Sequence, residues 1–178
     1  MPITAASLVP EDGTGLADAN SYESISGASG YHTGQGNDTW FDYTEDEQAQ
    51  ALVNATRFIA RRWRFVGQRV LSGQALDWPR WGAYDSNQFL WEDVVPPIVA
   101  QATAEYALLA ISGALLFPTP DPSNQGAITS RSETIGPHSE SFSFASPVHL
   151  DLPRFPEQDR LLQWSGLVRG KRRNTIRG

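Results

Sequence analysis

Arg57, Arg61, Arg62, Trp63, Arg64 and Phe65 set guanidinium groups among aromatic faces in one short run. That mixture suits single-stranded nucleic acid: arginines track the phosphates, and a ring offers a π-face on which any base can stack. A packed alternative stays open, because Trp63 also falls on an apolar helix stripe and the arginines can pair with acids of a neighbouring helix or subunit. A second basic cluster ends the chain, where Arg169, Lys171, Arg172, Arg173 and Arg177 occur without an acid. The net charge is −6, so the preceding 168 residues carry −11. An acidic body repels phosphates, whereas its basic tail can dock on a negative surface, including another copy of the chain, or stay solvated.

Residues 75–81, Ala-Leu-Asp-Trp-Pro-Arg-Trp, place two tryptophans, a proline and an Asp/Arg couple in one non-helical segment. An indole brings a large apolar area and an N–H that needs a partner, so Trp78 and Trp81 are expected to pin this loop onto its neighbours. Pro79 fixes its own φ and pushes Trp78 towards an extended conformation. A stacking platform for bases or a partner protein is the functional alternative.

Other chemistries lack their residues. There is no cysteine, so thiolate catalysis, disulfides and cysteine-ligated zinc are excluded. His32, His138 and His149 stand in unrelated contexts, each expected to be satisfied in the core or exposed rather than a ligand. Gly13-Thr14-Gly15 and Gly34-Gln35-Gly36 lack the residues of a phosphate-cradling loop, and no G-x-S-x-G elbow occurs. Neither an enzyme nor a cofactor or metal is expected. No run approaches the roughly 18 apolar residues of a membrane span, and residues 1–6 do not resemble a signal sequence, so a soluble chain without a membrane partner is expected.

The elements that must position these residues are mainly helical. Asn20 or Ser21 is expected to cap a first helix reaching about residue 32, weakened by Gly27 and Gly30. Thr44-Glu45-Asp46-Glu47 is a capping box, and Leu52, Ala55, Phe58, Ile59 and Trp63 follow at helical spacing, predicting a helix over 45–63. Residues 64–95 form a long ordered loop in which 65–67 and 70–71 are candidate paired strands. Pro96 and Pro97 open a buried third helix with Ile98, Ala102, Tyr106 and Leu109. A Pro-rich linker at 118–122 leads to a polar hairpin over 128–144 that turns at Gly136-Pro137. A short helix from Pro156, with Leu161, Leu162 and Trp164, precedes the basic tail. The expected architecture is a small bundle of three to four helices with a polar β-hairpin and an extended C-terminal arm, divided into a core at 1–117 and an arm at 118–178.

Glu11-Asp12-Gly13-Thr14-Gly15, Ala17-x-Ala19-Asn20-Ser21-Tyr22, Tyr31-His32, Trp40 before the capping box and residues 75–80 occur in that order, and Val94-Val95-Pro96 with its Ala-rich helix follows. Over residues 8–117 this set resembles the tailed-bacteriophage head-tail connector family of neck adaptors and head-completion proteins, often labelled DnaT-like single-strand-binding proteins. The resemblance implies a structural virion protein assembled in the host cytoplasm as a ring, usually of twelve copies. Such a ring sits between the portal and the next neck or tail protein, and genomic DNA passes through its channel without sequence-specific binding. It also implies subunit or partner contacts, for which Arg57, Arg61, Arg62, Arg64, Arg80, Trp81 and Trp164 are the candidates, with Trp78 left internal. An arm reaching the portal would use Arg169, Lys171, Arg172, Arg173 and Arg177. Residues 118–178 have no motif-by-motif match in that family. A single-strand-binding protein of phage replication, using Arg61 to Phe65 and the tail, is the alternative.

Overall fold

Thr44 begins the longest of the described helices, α2 (Glu45–Arg62), with the reciprocal cap its sequence predicts. The Glu47 N–H donates to the Thr44 hydroxyl at 3.4 Å, and the Thr44 N–H donates to the Glu47 carboxylate at 2.9 Å. Leu52, Ala55, Phe58 and Ile59 then recur on one fully buried face. That face packs on α3 (Pro97–Ile111), which starts behind Pro96 and buries Val99, Ala102, Thr103 and Tyr106. The computed structural model describes residues 3–114, 116 and 153–171, and the strands at 128–134 and 139–144; for those strands and for residues 170 and 171 it describes the backbone.

Helix α1 (Ile25–Gln35) starts later than Asn20 or Ser21 would place it. Ser24 is the cap, accepting the Gly27 N–H at 3.0 Å, whereas the Ser21 hydroxyl donates to the Glu23 carbonyl at 2.7 Å and Ser21 bridges Pro10 in extended backbone. Helix α4 (Pro156–Trp164) begins at the expected proline and packs against α3.

Three two-stranded antiparallel sheets complete the described fold. Strand β1 (Trp63–Phe65) pairs with β6 (Val168–Lys171), and β2 (Gln68–Arg69) pairs with β3 (Arg80–Trp81). The expected pairing of 65–67 with 70–71 is therefore replaced by two longer-range ones. Gly67, at φ +71, turns the chain between β1 and β2, and a Cβ there would lie 2.3 Å from the Trp81 carbonyl oxygen. The predicted hairpin is β4 (Ile128–Thr134) with β5 (Ser139–Phe144). The turn at Gly136-Pro137 and the linker at 118–122 lie outside the described residues.

Two compact units share the chain: residues 1–116 with 154–178, and residues 117–153. The segment after the hairpin, which the sequence reading groups with the arm, thus returns to the helical unit. Leu162 and Leu167 are fully buried there with Trp40, Phe58, Trp63, Trp78 and Tyr106.

Candidate nucleic-acid interface

The β1–β6 ribbon brings together the two basic clusters that stand at opposite ends of the sequence. Strand alternation on β1 buries Trp63 and Phe65 and leaves Arg64 exposed. The register runs from Trp63 opposite Lys171 to Phe65 opposite Val168, so β6 carries one extra residue. Arg64 consequently faces the bulge at Arg169 and Gly170, and Arg169 is exposed as well. Arg57 and Arg61 are exposed on the last turns of α2, which runs directly into β1. No acid occurs between residues 61 and 76 or between 160 and 178, so neither strand has a carboxylate of its own to neutralise it. The backbone of Lys171 closes the ribbon, and Arg172, Arg173 and Arg177 lie outside the described residues.

Three members of the interleaved cluster turn inward: for Arg62 this corrects its placement at a partner surface, and for Trp63 it is the packed alternative. Arg62 is buried and forms a bidentate ion pair with Asp159 of α4, its Nε donating to Oδ1 at 2.8 Å and its Nη2 to Oδ2. The Tyr106 hydroxyl donates to the same Oδ1 at 2.5 Å; burial and that carboxylate push its pKa well above the ordinary tyrosine value. The Arg62 guanidinium also lies over the rings of Phe58 and Trp63, at 5.6 and 5.2 Å from their centroids. Trp63 and Phe65 are core residues whose faces are not open to bases.

The tryptophan loop divides differently from the expected boundary. Trp78 is fully buried edge-on to Phe65, with ring centroids 5.6 Å apart. Arg80 is only 9% exposed, and its donors reach the carbonyls of Val66 at 2.5 Å, Asp77 at 2.9 Å and Gly67 at 2.8 Å. It staples the start of β2 to the end of the loop, and its burial there corrects its placement at a subunit boundary. Gln74 supports the same loop, accepting from Leu71 N and donating to the carbonyls of Leu76 and Pro79. Trp81, at 64%, and Trp164, at 72%, are the tryptophans that stand out into solvent. The Arg160 guanidinium lies 5.5 Å from the Trp164 ring centroid.

His32 is a buried core residue, as one of its two expected fates. Its Nε2 meets the Ala104 carbonyl at 3.2 Å and its Nδ1 meets the Asn37 side-chain amide at 3.1 Å, which fits a neutral ring protonated on Nε2. His138 and His149 lie outside the described residues, among which no group of three metal-ligating side chains gathers. No helix among the described residues is long and apolar enough to cross a membrane. Asp159 and Tyr106 are the site residues the sequence reading missed, since Asp159 stands 97 residues from Arg62 and its only local signal is an acid in the first turn of a helix.

A small, mainly helical fold with an exposed, acid-free basic ribbon is the class these observations define. Residues 6–175 match the family described as "Putative DnaT-like ssDNA binding protein", and the chain belongs to that family. No curated protein and no solved structure matches it.

Proposed function

We propose that this chain binds single-stranded nucleic acid along the β1–β6 ribbon, without catalysing a reaction. The observation that carries this reading is the pairing of β1 with β6, which sets exposed Arg64 beside exposed Arg169. The family description points the same way. The rest of the chain is acidic, so phosphates are attracted to the ribbon and repelled elsewhere, and binding is confined and salt-sensitive. Each phosphate contact on a single strand adds about −0.7 to the slope of log K against log salt. The Arg64→Ala/Arg169→Ala double variant is therefore expected to flatten the slope by about 1.4 in fluorescence-anisotropy titrations of a labelled 20-mer, if each arginine holds one phosphate. An unchanged slope and affinity would sink the reading.

A second reading keeps the neck adaptor: a ring between portal and tail in the virion, with DNA sliding through. What favours it is the exposed apolar area of Trp81, Tyr84, Phe89, Leu90 and Trp164, of the kind that marks contacts between proteins. Electron-microscope class averages of the purified chain test it, and a monomer at all concentrations removes it.

A further inference from the structure

A groove of about 710 Å³ opens where α4 ends, walled by Trp91 and Trp164 and floored by Ile98, Leu161 and Leu167. The side of it opposite the Trp164 ring is fixed by local contacts. The Trp91 indole N–H donates to Asp85 Oδ2 at 3.0 Å, the Ser86 N–H donates to the Ser165 carbonyl at 2.8 Å, and Gly166 lies so close that a Cβ there would sit 2.6 Å from Ser86 N. Leu167 both lines this groove and leads directly into β6, so the groove and the basic ribbon are continuous along the chain.

We propose that the groove receives an unpaired base of the strand held on the ribbon, stacked on Trp164; this rests on the ribbon reading above. Arg160 over the indole makes the wall a combined cation and π surface, the composition on which bases stack irrespective of sequence. Phosphates are kept out, because the groove is lined by two carboxylates, Asp85 and Glu157, against one guanidinium. Asp85 is held ionised by hydrogen bonds from the Trp91 indole and from the backbone of Phe89 and Asn87, which lower its pKa. Gln101, at the edge of the groove, has no side-chain hydrogen-bond partner among the described residues and can meet the edge of a base. Backbone on the arginines and base in the groove is a division of labour that the local charges enforce.

The test compares anisotropy titrations of a 20-mer oligothymidylate and of a 20-mer carrying abasic sites. Trp164→Ala is expected to weaken the oligothymidylate about tenfold and leave the abasic strand unchanged, while Trp164→Phe stays near wild type. Trp164 is exposed, so an unchanged melting curve checks that the fold is intact. Equal affinity of the wild type for both strands overturns the groove and leaves the ribbon standing. Equal losses on both strands do the same. A wild type that binds neither strand overturns the ribbon and the groove together. If Trp164→Ala instead turns an oligomer into a monomer in sedimentation with both affinities unchanged, the groove belongs to a second copy of the chain and the proposal is wrong.

Discussion

Arg80 shows how one side chain can hold a loop that has little secondary structure of its own. Its planar fork satisfies three carbonyls at once, on Val66, Gly67 and Asp77, which no lysine can reproduce with a single ammonium. Arg80→Ala is expected to cost about 3 kcal/mol in urea unfolding of the monomer, with Arg80→Lys recovering only part, because the carbonyls it serves are left unpaired. A variant that unfolds like wild type would refute the staple. His32 makes a second prediction at this scale. Burial lowers its pKa below the ordinary histidine value of 6.5, so between that value and its folded-state pKa the unfolded chain holds the extra proton. The stability it contributes is full above about pH 6.5 and is lost as pH falls towards the folded pKa. Melting of wild type and His32→Gln over pH 5–7.5 checks this: the wild-type midpoint should fall more steeply below pH 6.5 than the variant's.

At the scale of elements, the junction between α4 and the 85–86 loop depends on Gly166, whose φ of +77 and contact with Ser86 leave no room for a side chain. Gly166→Ala is expected to cost about 2 kcal/mol by thermal or urea unfolding, more than an ordinary surface alanine, through both strain and the displaced Ser86 backbone. Neither that glycine nor the ribbon was legible in the sequence. Helices α2, α3 and α4 were, because a capping box, a Pro-Pro pair and recurring apolar positions are local signals. Strands of two to four residues have no period to read, and the partner of β1 is supplied by the far end of the chain. The motifs behind the family resemblance turn out to be fasteners. Glu11 accepts the N–H groups of Gly13, Gly15 and Leu16, Asn20 clasps Val9 and Ser7, and the Tyr31 hydroxyl donates to Glu105 at 3.0 Å. They hold the fold together, whereas the candidate site depends on pairings between distant residues. The cluster at 57–65 was legible as basic and aromatic, but its division into outward arginines and inward rings came from β1 alternation.

For the whole molecule, the helical unit is closed by the chain's return after residue 153. Residues 154–171 contribute β6, the buried Leu162 and Leu167, the Phe155 ring against Phe58 and Tyr106, and the Asp159 carboxylate to Arg62. Two fully buried leucines alone contribute roughly 3–6 kcal/mol. A chain cut at a site-specific protease sequence placed between residues 122 and 128 is therefore expected to elute as one species in native buffer and to separate into two fragments only in denaturant. The buried ion pair sharpens the test, because removing one partner leaves the other charged and unpaired at a cost of about 3–5 kcal/mol, roughly a hundredfold to several-thousandfold in the association of the two pieces. Arg62→Ala should thus release the C-terminal fragment from the cut chain at micromolar concentration, and with it Arg169 and half of the basic ribbon, so that oligonucleotide binding falls together with fragment association. Separation of the cut wild-type chain in native buffer would show that the last helix and strand do not close the unit, and the ribbon would then have no stable platform.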